Sequence, residues 1–511
     1  MTANDDGWTP LKSALSKGHA GVVKILLEEG ADFTTASKNG WTPLNSASDS
    51  GHAEIVKMLL EKGADITTMD NDGWTPLNVA SSGGHAEVVK VLLEKGADLT
   101  VANNDGWTPL NAALSGGYAE VVKVLLEKGA DFTTITNYGV TPLGAASNGG
   151  HAEVVKVLLE KGADLTVANN DGWTPLNAAS SGGYAEVVKV LLEKGADLTV
   201  ANNDGWTPLN AASSGGYVEI VKMLLEKGAD ITTMDNDGWT PLNSASDSGH
   251  AEIVKMLLEK GADFTTASKN GWTPLNSALD SGHVEVVKIL LEKGANVMTA
   301  NDDGWTPLHV ASNNGHAGVV KILLEEGADF TTASKNGWIP LNLALNGGHA
   351  EIVKMLLEKG ANIMAANNDG WTPLHVASNN GHAEVVKVLL EKGADITTTD
   401  NDGWTPLLSA SAEGHVDVVK FLFESSPLYT TETNGLGCTA LFLASRNGRL
   451  PVVQYLLSTG RFDPNIKNYY GSTALSAAVA NGHYEVVELL ISTGVSTLEQ
   501  VHPTVVGISR R

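Results

Sequence analysis

The sequence predicts an all-α solenoid of about fifteen helix-turn-helix units with β-hairpin fingers between them, on three observations. All twelve tryptophans fall on one 33-residue grid: Trp8, Trp41, Trp74, Trp107, Trp173, Trp206, Trp239, Trp272, Trp305, Trp338, Trp371 and Trp404, with Val140 in the one slot that lacks an indole. Each grid point opens the same kind of string, as in "GWTPLNAASSGGYAEVVKVLLEKGAD" from Gly172 to Asp197. Within that string, helix-start signals, apolar residues at helical spacing and glycine breaks recur at fixed offsets. A fixed period of this length marks a chain of small units, none of which can bury its apolar face alone.

Taken in order along the unit Asn169 to Ala201, Thr174 followed by Pro175 starts the first helix. A threonine hydroxyl can cap free N–H groups, and proline in the first turn loses no hydrogen bond. A short helix of small residues runs to the break at Gly182 and Gly183. The second helix, "AEVVKVLLEK", has Val187, Val188, Leu191 and Leu192 as its apolar stripe. Lys189 and Glu193 are four apart on its outer face, and Gly195 is its C-terminal stop. The stretch "ADLTVANNDG" then turns back as a hairpin, with Asn, Asp and Gly where a tip requires unusual backbone angles. Residues 1–433 hold thirteen near-identical units of this kind. Residues 434–494 hold two diverged units at 34-residue spacing, with Cys438 and Ser472 in the tryptophan slot, and 495–511 form a tail outside the pattern.

The charge balance narrows the partners. The chain carries a formal net charge of -25. Residues 421–511 are balanced, and the excess lies in residues 1–420, which contain no arginine. Nucleic acid and anionic membrane surfaces are therefore not expected partners, because both rely on clustered Lys and Arg. No apolar run reaches the roughly 20 residues of a membrane span, and the N-terminus lacks a signal-peptide layout. One cysteine, Cys438, fits a reducing compartment. The cytoplasm is the expected location, with nothing against the nucleus.

The string "GWTPL…A…GHAEVVKVLLEKGAD" resembles the ankyrin repeat over essentially the whole chain. The resemblance implies antiparallel helix pairs with projecting fingers, and a concave face of fingers and first helices that binds other proteins. The sequence departs from the family pattern in several places. The family's T-P-L-H is kept only at His309 and His375. Asn stands in the His slot in eight units, Asn177 among them, which puts the usual hydrogen-bond pattern in question. Ile339 replaces the threonine before Pro340, and Ala440 and Ala474 replace the proline in the last two units. Near-identical units followed by "STG…DPN" units also resemble the ankyrin tails of filamentous-fungal proteins of the NLR-like class.

Fourteen histidines raise the question of catalysis or metal binding. Eleven occupy the turn between helices, a slot filled elsewhere by Tyr118, Tyr184 and Tyr217, so imidazole chemistry is not required there. No Gly-Lys dipeptide, HExxH or GxSxG is present, so the phosphate loop and the common hydrolase motifs are missing. An enzyme, a cofactor, a metal site and a small-molecule substrate are all not expected.

Binding is expected at two sets of residues. One is the ladder of Trp41, Trp74, Trp107, Trp173, Trp206, Trp239, Trp272, Trp305, Trp338, Trp371 and Trp404, since aromatic anchors carry much of the energy of interfaces. The competing reading is that each indole braces its own finger. The other set is the variable finger tip, represented by Asn170, Asp171, Asn203, Asp204, Asn236 and Asp237. Tips vary either because they read a partner or because whole cassettes were copied: "FTTASKNGW" recurs as a block at Phe33, Phe264 and Phe330. The expected partner is a protein or extended peptide of basic character, matched to a polar, acidic groove.

Met1 occupies the slot of Met298, a turn residue, because "MTANDDGWTPL" recurs at Met298 to Leu308. Either the chain is a fragment that starts at an internal Met, or its first unit caps itself poorly. The functional expectation is a non-catalytic interaction module, serving as the recognition array of a larger NLR-like switch protein or, alternatively, as a free-standing adaptor or scaffold.

Overall fold

The structure is a computed structural model that describes residues 10–133, 135–136, 138–426 and 431–493. Met1, Trp8, the tail from residue 495 and His502 lie outside the described residues. Among the described residues there are thirty helices in fifteen pairs and no strand. The chain divides into two compact units, Met1–Pro274 and Leu275–Arg511.

In the unit Met1–Pro274 the pair Pro175–Gly182 and Ala185–Glu193 is representative. Thr174 caps the first helix by accepting the Asn177 backbone N–H at 3.2 Å, and Pro175 takes the first turn. The helix ends where Gly183 adopts a left-handed φ of 77°. Only glycine fits there, for a second reason as well: a Cβ would lie 2.4 Å from the Tyr217 ring of the next repeat. Leu176, Ala179, Val187, Val188 and Leu191 are almost completely buried. Within this unit first helices pack on first helices, as Pro175–Gly182 does on Pro208–Gly215, and second helices on second helices, as Ala185–Glu193 does on Val218–Glu226. Burying such a Leu or Val is worth about 1.5–3 kcal/mol relative to leaving it exposed, so a repeat without neighbours would lose most of its stability.

The unit Leu275–Arg511 repeats the scheme, with Pro307–Asn314 packed on Pro340–Gly347 and Val284–Glu292 on Ala317–Glu325. Its last two first helices begin at Ala440 and Ala474 without proline. Thr439 and Thr473 still cap them, accepting the N–H of Phe442 and Ser476. The hydroxyl therefore suffices to start the helix. Ile339 is the contrast, for Pro340–Gly347 starts without a side-chain cap bond.

Three expectations need correction. The fingers are not β-hairpins. Asn169 N–H donates to Trp173 O at 3.0 Å and closes the tip, but no second rung follows. On one side the chain is bent by Asp197-type turns, in which Asp197 Oδ1 accepts both Thr199 N–H, at 2.8 Å, and Thr199 Oγ1–H, at 2.7 Å. On the other side proline offers no N–H for a ladder. Nor do the tip Asn and Asp adopt unusual angles: no residue other than glycine has a positive φ among the described residues. The ion pairs within a second helix, finally, join a carboxylate to the Lys three residues later among the described residues, as Glu87 to Lys90 at 2.7 Å and Glu153 to Lys156 at 2.7 Å. A Glu on the N-terminal side of its Lys is the order favoured by the helix dipole.

Candidate protein-binding face

Each described tryptophan is held by its backbone before its ring does anything. Trp107 N–H donates to Asn103 Oδ1 at 2.8 Å, and Trp107 O accepts from Asn103 N at 3.0 Å. Asp70 does the same for Trp74, and Ser37 Oγ accepts from Trp41 N at 3.1 Å. Part of the variation between finger sequences thus conserves one acceptor in three side chains.

The tryptophan carbonyl is also tied to the preceding repeat. Asn78 Nδ2 donates to Trp107 O at 3.0 Å, and Asn177 Nδ2 to Trp206 O at 2.9 Å and Val200 O at 3.2 Å. His309 Nε2 contacts Trp338 O at 2.9 Å, and His375 Nε2 contacts Trp404 O at 2.9 Å. At Asn45, Asn78, Asn177, Asn210 and Asn243 asparagine therefore performs the same bridge as histidine, with a carboxamide N–H in place of the ring N–H. The question raised by the missing T-P-L-H histidines is answered by this shared donor. Burial holds both imidazoles below the ordinary histidine pKa, which keeps them neutral. Nδ1 of His309 then accepts from Thr306 N at 3.2 Å, leaving Nε2 as the donor to the carbonyl.

The turn histidines have a packing role. His85 and His250 place Nε2 at 2.6 Å from Asp49 O and 3.0 Å from Ser214 O of the preceding repeat. Tyr118, Tyr184 and Tyr217 fill the same slot by lying against the glycines of the preceding repeat, as Tyr184 does on Gly150.

Tip residues are all exposed: Asn170, Asp171, Asn203, Asp204, Asn236 and Asp237. Their chemistry divides in two. The asparagines tie finger to finger, with Asn203 Nδ2 donating to Asn170 O at 2.9 Å and Asn236 Nδ2 to Asn203 O at 2.8 Å. Where lysine takes this slot, Lys269 Nζ reaches the equivalent Asn236 O at 2.6 Å. The carboxylates of Asp171, Asp204 and Asp237 make no hydrogen bond or ion pair among the described residues, and so point the row's negative charge at solvent. A second set of aspartates is engaged at the finger base. Thr199 donors hold Asp197 below the ordinary carboxylate pKa, first through the backbone N–H and then through the hydroxyl. The Thr166 hydroxyl and N–H act likewise on Asp164.

The indoles are placed as follows. In the unit Met1–Pro274, Trp41, Trp74, Trp173, Trp206, Trp239 and Trp272 are half-buried, and Trp107 is 38% exposed. In the unit Leu275–Arg511, Trp305, Trp371 and Trp404 are half-buried, and Trp338 is exposed. No two indoles are in ring contact among the described residues; Trp305 instead meets His309, with centroids 6.2 Å apart. Each described ring therefore has a covered part and an open part.

One feature of this face was visible only as a gap in the grid. Where Val140 replaces tryptophan and Gly144 replaces the bridging asparagine, a cleft of about 540 Å³ opens between Trp107 and Trp173. Asp105, Asp171, Tyr138 and Asn111 line it. Asn111 is only half-buried, whereas Asn78, Asn177 and Asn210 are completely buried. Its carboxamide, unlike theirs, makes no hydrogen bond among the described residues. Gly144 and Tyr138 carried no signal when repeats were read singly, because the cleft exists only between repeats.

Stacked helix pairs with tips tied finger to finger, and no strand among the described residues, define a helical repeat solenoid. The chain belongs to the ankyrin repeat family: the model for ankyrin repeats (3 copies) matches it at residues 1–70, 66–136, 133–202, 198–268, 263–334, 296–367, 330–400, 367–433 and 426–500. No curated protein matches the chain. Ankyrin repeats are generally protein–protein interaction modules, and arrays of them are typically non-catalytic. No helix among the described residues is long and apolar enough to cross a membrane.

Proposed function

We propose that the chain binds an extended polypeptide of basic character along the face made by its finger tips and first helices, and that it does so without catalysis. The observation that carries this reading is the row in which partly open indoles alternate with exposed, unpaired carboxylates at Asp171, Asp204 and Asp237. Open indole surface supplies anchoring energy, and the carboxylates select positive charge and speed encounter. The near-identity of the first thirteen units supports a recognition array in a larger nucleotide-dependent switch protein, since copying cassettes alters specificity. That context is tested by whether the transcript's reading frame also encodes a phosphate-loop domain.

The binding reading is tested with peptides selected from a displayed random library on the immobilised full chain. Replacing Trp173, Trp206 and Trp239 together by Ala is expected to weaken the selected peptides by about 2 kcal/mol or more. Unchanged affinity combined with a lower melting temperature would show the ladder to be a brace and would remove the reading.

A further inference from the structure

We propose that the cleft at Val140 is the array's primary docking point, and that its occupant is an aromatic side chain of a protein partner flanked by Lys or Arg. This deepens the binding reading above and rests on it.

Four observations converge on that occupant. First, the slot is one that the array fills with its own indole everywhere else on the grid. Trp74 and Trp206 sit half-buried in the equivalent places, so the surroundings already suit a ring of that size and polarity. Second, the neighbouring ring lines the cleft with open surface, for Trp107 is 38% exposed. A ring entering the slot can cover that surface, and aromatic side chains bury about 150–250 Å² each on such entry.

Third, the polar group that normally bridges repeats is idle. Asn111 lines the cleft and its carboxamide makes no hydrogen bond among the described residues, whereas Asn78 and Asn177 spend their carboxamides on the next repeat's carbonyls. Its amide can accept an indole N–H or a phenol O–H, and both are aromatic polar edges. Fourth, the charge is one-sided. Asp105 and Asp171 line the cleft with exposed, unpaired carboxylates, no basic residue lines it, and the chain as a whole carries -25. A cation beside the docked ring meets these carboxylates and the open faces of Trp107 and Tyr138, where cation–π attraction adds to the Coulomb term. At about 540 Å³ the cleft is larger than one ring needs, and it lies within the roughly 300–1,000 Å³ of clefts that hold a whole ligand. The excess leaves room for the flanking residue.

The cleft can be closed without damage by restoring the pattern of the other repeats. Gly144 has no left-handed backbone, and a Cβ there meets only Thr141 Oγ1 at 3.3 Å and Val140 Cγ1 at 3.7 Å. Replacing a helical glycine with asparagine is also mildly favourable. The double variant Val140→Trp, Gly144→Asn is therefore expected to fold and to melt no lower than the wild type.

The experiment selects peptides from a displayed random library on the wild-type full chain. Their affinities are then measured for three forms: wild type, V140W/G144N, and W206A/W239A, whose changes lie outside the cleft. The expected result is enrichment of peptides with Trp, Tyr or Phe next to Lys or Arg. Their affinity should drop about tenfold or more on V140W/G144N and by a clearly smaller factor on W206A/W239A. Should V140W/G144N not fold, D105N/D171N serves instead, and loss of the preference for Lys and Arg is expected. Peptides that bind the filled variant as well as wild type overturn the cleft. If those peptides weaken only on W206A/W239A and not on V140W/G144N, the face still binds and only the cleft is lost. If no variant changes affinity, or no peptide exceeds an albumin-coated surface, the binding reading falls with it. A wild-type dimer in sedimentation that V140W/G144N abolishes would make the occupant a second copy of the chain and overturn the basic partner.

Discussion

At the scale of single residues, the slot after T-P-L shows two side chains solving one problem with different titration behaviour. Asn177 and His309 both bridge to the tryptophan carbonyl of the next repeat, but only the imidazole can take up a proton. Burial lowers the folded pKa of His309 and His375 below the unfolded value. The unfolded chain then binds more protons than the folded one around and below the ordinary histidine pKa of about 6.5. Stability is fully present above that pH and is lost as the pH falls toward the lower folded pKa. The double variant H309N/H375N keeps both bridges and removes the proton uptake. Its urea midpoint is expected to fall less than that of the wild type between pH 7.5 and pH 5.5, with similar midpoints at pH 7.5. Equal losses in the two proteins would place the pH dependence elsewhere. Protonation of the finger-base aspartates acts lower, because their folded pKa values lie below the ordinary carboxylate range.

At the scale of the helix pair, the start of the first helix depends on a hydroxyl more than on proline. Thr439 and Thr473 cap helices that lack proline, whereas Ile339 leaves the start of Pro340–Gly347 uncapped although proline is present. Ile339→Thr is therefore expected to raise stability by about 1 kcal/mol, the usual worth of a threonine N-cap. Denaturant titration of the two proteins reads the difference, and no gain would mean that the Ile339 side chain is paid back by packing. Fully buried serine hydroxyls near the end of the first helix, such as Ser180 and Ser213, have no hydrogen-bond partner among the described residues.

At the scale of the whole molecule, electrostatics is dominated by excess negative charge. The ion pairs that join Glu to Lys are exposed, and such pairs contribute about 0–1 kcal/mol each, so they do little to offset repulsion. A chain of net charge -25 loses stability to self-repulsion, and added salt screens it. Raising sodium chloride from about 0.05 M to about 0.5 M, where the Debye length falls to roughly 4 Å, is expected to raise the urea midpoint. The same change is expected to weaken a basic peptide bound at the acidic face. A lower midpoint in high salt would show that attractive pairs outweigh repulsion.

What the sequence determined by itself was everything local to one repeat. The threonine caps, the glycine stops and the stripe of Val187, Val188, Leu191 and Leu192 depend on residues within a few positions of one another, and periodicity along the chain displays them. What only the tertiary structure decided spans repeats. The bridge from Asn78 to Trp107 O crosses 29 residues, and the tip bond from Asn203 to Asn170 O crosses 33. Reading one repeat at a time leaves both ends of such bonds apparently free, so the asparagines looked like variable binding positions when they were also structural ties. The same reason hid the cleft: Val140 was legible as a missing tryptophan, but the open ring of Trp107 and the idle carboxamide of Asn111 belong to the repeat before it. The β-hairpin expectation failed for a local reason, because the Asp–Thr turn and the proline leave too few backbone groups to pair.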